Sequence, residues 1–163
     1  MAIRIRPASA ADIDGIAHTF LESAEHHAPF DPERYLIPDF DSVAARYRTA
    51  GQHPAEVTSV TLIAELEGET VGFVDARLEQ SPDPMLRPVM YCHIAELAVR
   101  AGHRNRGIGR QLMAAAEDWG RQHGAGFAFL DYHVSNGTAA RFYRRVMGYR
   151  AAHITAIKRL QPR

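Results

Sequence analysis

The chain opens on a strict alternation, Ile3-Arg4-Ile5-Arg6-Pro7, and that period of two predicts a strand over 3–7 closed by proline. Ser9 and Asp12 have the spacing of a capping box, and Ile13, Ile16, Ala17, Phe20 and Leu21 behind them recur at helical spacing. Residues 22–40 keep neither period and carry Pro29, Pro32 and Pro38, which predicts an irregular segment. A short helix over 41–50 follows and stops at Gly51. The runs 58–66 and 70–79 flank Glu67-Gly68-Glu69 as a hairpin. After a proline-rich loop at 81–88, the mostly apolar run 89–99 reads as a central strand. Ile108, Leu112, Ala115, Ala116 and Trp119 mark one helix face, closed by Gly120 or Gly124. Residues 126–134 read as another strand. Asn136 can cap a helix lined by Ala139, Phe142, Tyr143 and Val146 and ended at Gly148, and the alternation of 152–160 predicts a last strand. The order β-α-α-β-β-β-α-β-α-β predicts an α/β domain over 1–163, a mixed sheet with helices on its faces.

Composition narrows the classes. A chain of 163 residues with 46% hydrophobic content can bury a core and is not a disordered segment. No apolar run reaches the ~20 residues of a membrane span, and the N-terminus lacks the apolar block of a signal peptide. Cys92 is the single cysteine, so no intrachain disulfide forms, and a cytoplasmic location is expected. Nine histidines raise the question of a metal, but only His26 and His27 are adjacent and no His-x-x-x-His or Cys-x-x-Cys occurs, so none is expected. The net charge of zero hides a split: residues 1–99 hold 7 basic and 16 acidic side chains, residues 100–163 hold 12 and 3. Either the two halves pair with each other or the C-terminal half meets an anion.

The basic half is densest at "HRNRGIGRQLM", where Arg104, Arg106 and Arg110, with Arg100 upstream, surround Gly107 and Gly109 at a helix start. Cations repel the positive end of a helix dipole unless something anionic lies between them. Free N–H groups at a helix start accept anions, and glycines let the backbone come close to a phosphate. The pattern suits a pyrophosphate. It is not a P-loop, since Gly107 is followed by Ile108, and a dinucleotide fingerprint fails at Leu112, where its third glycine belongs.

At these residues the sequence resembles the GNAT superfamily, the GCN5-related N-acetyltransferases. Their Arg/Gln-x-x-Gly-x-Gly/Ala signature stands here as Arg104-Asn105-Arg106-Gly107-Ile108-Gly109. "SNGTAARFYRRVMGYR" resembles a second family segment, Asn-x-x-Ala-x-x-Phe-Tyr-x-x-x-Gly-Phe/Tyr, in Asn136, Ala139, Phe142, Tyr143, Gly148 and Tyr149, with four residues rather than three between Tyr143 and Gly148. The resemblance implies a mixed, mostly antiparallel sheet splayed at its central strands, and direct transfer of an acetyl group from acetyl-CoA to a primary amine through a tetrahedral intermediate. It implies that residues 104–109 (Arg104, Asn105, Arg106, Gly107, Ile108, Gly109) with Arg110 hold the pyrophosphate. Leu97, Ala98 and Val99 would lie along the pantetheine arm, which the backbone of Leu97 and Val99 pairs. Asn136 and Tyr143 would touch the cofactor, and Arg141, Arg144 or Arg145 could meet the adenosine 3′-phosphate.

Such chemistry needs a base for an amine whose pKa lies near ~10.4, a donor for the oxyanion and an acid for the leaving thiolate. The resemblance gives the donor as the N–H near Leu97 and the acid as Tyr143. For the base, Glu96, His93 and Asp131 stay open, with Glu96 favoured. On a regular strand Glu96 and His93 face opposite ways, so both can serve only if a bulge intervenes. Glu22, Glu25, Asp31, Glu33, Asp39, Asp41 and Glu56 outnumber the bases over 22–56, which suits a cationic acceptor, a small molecule or a peptide. The other classes are a non-catalytic acyl-CoA binder on the same fold and a nucleic-acid module on the basic half. The latter lacks the aromatic–basic interleaving of an RNA platform, so neither nucleic acid nor membrane is an expected partner. A homodimer stays open.

Overall fold

A computed structural model of the chain describes residues 2–50 and 58–160. The helix stop at Gly51 and the acid Glu56 lie outside the described residues. Strands β1 (Arg4–Pro7), β2 (Ser59–Leu66), β3 (Glu69–Gln80), β4 (Met90–Val99) and β5 (Phe127–Phe129) form one sheet in the order β1-β2-β3-β4-β5. All neighbours are antiparallel except β4 and β5, which run parallel. Helices α1 (Ile13–His27) and α2 (Phe40–Ala50) cover one face, and α3 (Ile108–Gln122) covers the other. A short α4 (Gly137–Arg141) continues as a π-helical turn over Phe142–Val146.

The period of two in β2 and β3 builds both cores at once. Ile63 and Phe73 pack on Ile16, Ala17, Val43 and Tyr47, while their neighbours Leu62 and Val74 pack on Ile108, Leu112, Met113 and Ala116. The β2–β3 hairpin turns through Glu67 and Gly68, both at positive φ (53° and 84°), as a two-residue hairpin loop requires. Gly120 lies within α3: a Cβ there would come 2.6 Å from the Cβ of Cys92, so the helix lies directly against β4. The helix closes at Gly124 instead, at φ 85°, with Ala125 N–H returning to Gly120 C=O at 2.9 Å.

Four expectations change. Helix α1 runs on to His27, so irregular chain begins only after it, because Pro29 rather than the loss of period ends the helix. The apolar strand β4 is interior but not central; β3 holds the middle place. The strand expected over 126–134 is paired only over Phe127–Phe129. The last strand, over 152–160, does not form.

Candidate active site

The turn that carries the basic run is unusually open. From β4 the chain passes a single 3₁₀ turn at Ala101–His103, then Asn105 and Gly107 both take positive φ (61° and 79°) before α3 begins. No side chain caps this helix, and its first hydrogen bond is Gln111 N–H to Gly107 C=O at 3.1 Å. Among the described residues, the backbone N–H groups of 105–110 find no acceptor. Ile108, 1% exposed, anchors the turn in the core. A Cβ on Gly109 would make only an ordinary contact, 3.6 Å from Phe142 Cζ, so the protein's own packing does not demand glycine there. The four arginines divide. Arg100 pairs with Glu22 at 3.3 Å, and Arg104 Nε donates to Val99 C=O at 3.0 Å. Arg106 and Arg110 are exposed and form no ion pair among the described residues.

Beside the turn, β4 has a free edge. Strand β5 pairs with it only at Tyr91, Cys92 and His93, so 94–99 lack a neighbour on that side. Arg100 N–H donates to Val71 C=O on β3 at 2.9 Å. Alternation therefore turns the N–H and C=O of Leu97 and Val99 away from β3, into the gap, whereas Ala98 faces its partner Phe73. This is the splay expected at these strands.

A bulge does intervene between His93 and Glu96. Asp75 pairs with Glu96 but Ala76 pairs with Ile94, so Ala95 is skipped. The extra residue reverses the alternation. Cys92 and Ile94 point into the α3 core and Ala98 into the α1–α2 core, and Glu96 joins His93 on the α2 side. There Glu96 meets Asp75, which accepts hydrogen bonds from Tyr47 Oη at 2.8 Å and Thr61 Oγ at 2.7 Å. Glu96 Oε2 is buried with no hydrogen-bond partner. Burial first, and the nearby charge of Asp75 second, push its carboxyl up to about 7, against a pull from Arg46. Burial also raises Asp75, while its two hydroxyl donors oppose the rise. His93 is tied down: its ring stacks on Phe129 at 4.3 Å and its Nδ1 meets Glu79 at 2.8 Å. Asp131 is exposed, beyond the end of β5.

Tyr143 projects from the π-turn among Tyr132, Phe142 and Tyr149, at ring distances of 5.6, 5.2 and 6.1 Å. Burial and the charge of Glu96 push its phenol up to about 12, so it stays a proton donor near neutral pH. The π-turn explains the one departure from the family spacing. Met147 N–H reaches back five residues to Phe142 C=O at 3.1 Å, which takes up the extra residue before Gly148 without displacing Phe142 or Tyr143 from the packed side. Asn136 caps α4, its Oδ1 accepting Ala139 N–H at 3.0 Å, and its Nδ2 lies 3.5 Å from His27 Nε2, so both ends of the amide already have protein partners. Val146, expected on the packed side, is 51% exposed, because the π-turn rotates it outward. Arg141, Arg144 and Arg145 are exposed.

Sequence reading missed Asp75, Tyr47 and Arg46. A signal for Asp75 existed: it is the one acid inside the apolar run Val71–Ala76, and an acid in a buried strand needs a reason. Four acids of the set at 22–56 are engaged locally. Glu22 holds Arg100 and Ala101 N–H, Asp31 holds Arg34, Glu33 holds Arg159, and Asp39 caps α2 through Ser42. Among the described residues no three His, Cys, Asp or Glu side chains gather as a metal set, and no helix is long and apolar enough to cross a membrane.

The chain is similar in sequence and in fold to known proteins. Over 157 residues the chain is 29% identical to the streptothricin acetyltransferase of Streptomyces lavendulae, covering 88% of this chain and 78% of that one. A solved tetramutant of the BH1408 protein from Bacillus halodurans superimposes with a TM-score of 0.85 at 25% identity, over 96% of this chain and 99% of the other. The aminoglycoside N-acetyltransferase AAC(6′)-Iy, solved in complex with CoA, shares the fold with a TM-score of 0.71 at 18% identity, over 99% and 96% of the two chains. The sequence model of the Acetyltransferase (GNAT) family matches residues 15–149, and the chain belongs to that family of acetyltransferases.

Proposed function

We propose that this acetyltransferase moves the acetyl group of acetyl-CoA to a primary amine of a small molecule, in the gap beside the free edge of β4. The observation that carries the reading is Glu96: a carboxylate beside the bulge, one oxygen buried and unpartnered, its carboxyl pushed up to about 7 by burial. A base poised near the working pH combines ionisation with basicity.

The residues fit coenzyme A. Six successive open N–H groups at 105–110 match a pyrophosphate, and Arg106 and Arg110 supply free positive charge. The outward N–H groups of Leu97 and Val99 match the amides of an extended arm; the Val99 carbonyl is already taken by Arg104. When bound, acetyl-CoA supplies an activated acyl group and a thiolate that can leave. Glu96 takes the proton from the incoming ammonium. Leu97 N–H, directed into the gap, donates to the acyl oxygen as charge develops there. Tyr143 gives its phenolic proton to the departing sulfur and regains one as the nitrogen of the collapsing intermediate loses its second proton. His93 and Asp131 take no proton in this scheme, the first because it is clamped by Glu79 and Phe129, the second because its carboxylate is exposed to solvent.

The acceptor is best read as a cationic small molecule. Asp75 and Glu96 stand opposite each other on β3 and β4 as an acidic pair, and the Streptomyces relative that spans 88% of this chain is named for streptothricin. A panel of amines and N-terminal peptides with acetyl-CoA, followed by thiol release, tests the reading; the strongest acceptor should be a cationic small molecule. Acetyl-CoA should raise the melting temperature of the protein, and Gly109→Asp, which places a carboxylate over the open N–H groups, should abolish that rise. Thermal protection with no thiol release from any acceptor would leave a binder in place of an enzyme on amines.

A further inference from the structure

Two acids face each other on β3 and β4, and one cation is held beside them. Asp75 and Glu96 are partners in the register, and the buried Tyr47 joins them from α2 by donating to Asp75 at 2.8 Å. Next to Tyr47 on α2, Arg46 is exposed, and its guanidinium carbon lies 5.6 Å from the ring centres of both Phe20 of α1 and Tyr47. Those are cation–π distances, and a flat guanidinium suits a ring face. Among the described residues Arg46 makes no ion pair and no side-chain hydrogen bond, whereas Arg77 is taken by Glu79 and Arg100 by Glu22.

Arg46 therefore acts on the pair through its charge and not through a direct bond. The oxygens of Asp75 accept Tyr47 Oη and Thr61 Oγ, and Glu96 Oε2 has no donor. The charged and titratable groups that face Glu96 are Asp75 of β3, Arg46 and Tyr47 of α2, and Tyr143 of the π-turn. His93, on the same side of β4, is engaged by Glu79. Of the groups that face Glu96, only Arg46 is a cation. Two carboxylates set opposite each other repel when both are ionised. Arg77 also attracts the charge of Asp75, but Glu79 offsets it, which leaves Arg46 as the cation that opposes the repulsion.

We propose that Arg46 is a positioning residue of the reaction: its guanidinium, fixed over two rings, supplies the counter-charge that lets Asp75 and Glu96 be ionised together before an acceptor arrives. The inference deepens the proposed role of Glu96 as the base and rests on it. Its direction follows from charge. A nearby cation favours the ionised form of an acid. Without Arg46, Glu96 would keep its proton to higher pH, and the free enzyme would meet an incoming ammonium with its base already occupied. Because Arg46 is exposed, salt screens its charge more than it screens the buried acids from each other. An Arg46 that only pinned α1 to α2 through Phe20 would leave the ionisation of Glu96 untouched.

Arg46→Met keeps a long stem against the rings and removes the charge, and Arg46→Lys keeps the charge. The acid limb of kcat/KM reports the free enzyme. It should move to higher pH by about half a unit in Arg46→Met, a roughly threefold loss of kcat/KM on the acid side, and stay near the wild type in Arg46→Lys. Raising the salt to about 0.5 M should move the wild-type limb the same way and leave that of Arg46→Met nearly still. A carbon-13 NMR titration of glutamate-labelled protein, with the Glu96 carboxyl assigned by its loss in Glu96→Gln, should show the same displacement and needs no substrate. A Glu96 titration identical in the wild type and Arg46→Met would overturn the inference and leave the role of Glu96 standing. A displacement as large in Arg46→Lys as in Arg46→Met would also sink it, by making ring packing and not charge the cause. A carboxyl that moves in Arg46→Met while the kcat/KM limb does not follow would mean that Glu96 is not the base, and the role of Arg46 in the reaction would fall with that reading.

Discussion

Two of the carboxylates under cover in this molecule shift in opposite directions. Asp12, 6% exposed at the start of α1, is fully partnered. Arg6 forks onto both of its oxygens at 2.8 and 2.9 Å, and the N–H and Oγ–H of Ser9 donate at 2.7 and 2.8 Å. These donors, Arg6 above all, overcome burial and hold its carboxyl down at about 2. Glu96 has burial without donors, with Asp75 opposite, and its carboxyl rises to about 7. The first environment stabilises the charged form and so stabilises the fold. The second penalises the charged form and keeps a proton exchangeable near neutrality. Burial alone therefore does not set the direction of a carboxyl's shift; burial without donors raises it, which is the environment the proposed base requires.

The linkage signs follow. The folded pKa of Asp12 lies below its ordinary 3.8, so its contribution is present above that value and is lost as pH falls through about 2. The folded pKa of Glu96 lies above its ordinary 4.5, so its contribution is complete below that value and is lost as pH rises through about 7.

The largest expected effect is on chemistry at Glu96. Glu96→Gln keeps the shape and removes the base, so kcat should fall roughly 10²–10⁴-fold with acetyl-CoA affinity unchanged. The melting temperature above pH 7 should not fall, because the variant also removes an uncompensated buried charge. An equal change at Asp12 should do the reverse. Asp12→Asn should cost about 2–3 kcal/mol of stability near neutral pH and leave kcat per folded molecule alone. Urea unfolding at pH 7 and near pH 2 measures it: wild type and variant should differ at the first and converge at the second.

Next in size is the acid. Tyr143→Phe removes one hydroxyl from a ring already packed among three others. It should lower kcat by roughly 10²-fold and spare acetyl-CoA affinity. A kcat within a factor of two of wild type would make Tyr143 a packing residue, unless product release limits the wild-type rate.

How much of this was legible in the sequence depended on distance along the chain. The capping box of Ser9 and Asp12 spans four residues, and the Arg104–Gly109 turn spans six, so both declare themselves by spacing. Arg6 meeting Glu65 as well as Asp12 requires β1 to find β2, 59 residues away, and no local pattern states that. The bulge at Ala95 leaves no mark in an apolar run, yet it decides which face Glu96 takes. The count of residues after Tyr143 showed an insertion, but only the backbone shows that a π-turn absorbs it. The alternation over 152–160 predicts a strand that does not form: alternation states a period but not a partner, and the segment is exposed with no backbone hydrogen bond to the other described residues.

The finest distinction between the two carboxylate sites rests on Asp75. Tyr47 and Thr61 donate to Asp75, while Glu96 Oε2 has no donor, so the first charge of the pair settles on Asp75 and the second ionisation belongs mainly to Glu96. Asp75→Asn keeps an acceptor oxygen for one hydroxyl, offers its amide N–H to the oxygen of the other, and removes the opposing charge. Glu96 then ionises more readily, and its pKa falls. The fall is partial, because burial is the larger cause and remains. The acid limb of kcat/KM, which in the wild type should bend near pH 7, should move toward lower pH in the variant. Its plateau at high pH should drop, since a weaker base accepts the ammonium proton less well. The two profiles should therefore cross, with the variant retaining the larger share of its own maximum at low pH. A limb unmoved by Asp75→Asn, in a variant that binds acetyl-CoA normally, would mean that burial alone sets the pKa of Glu96 and that the carboxylate opposite it only anchors Tyr47 and Thr61.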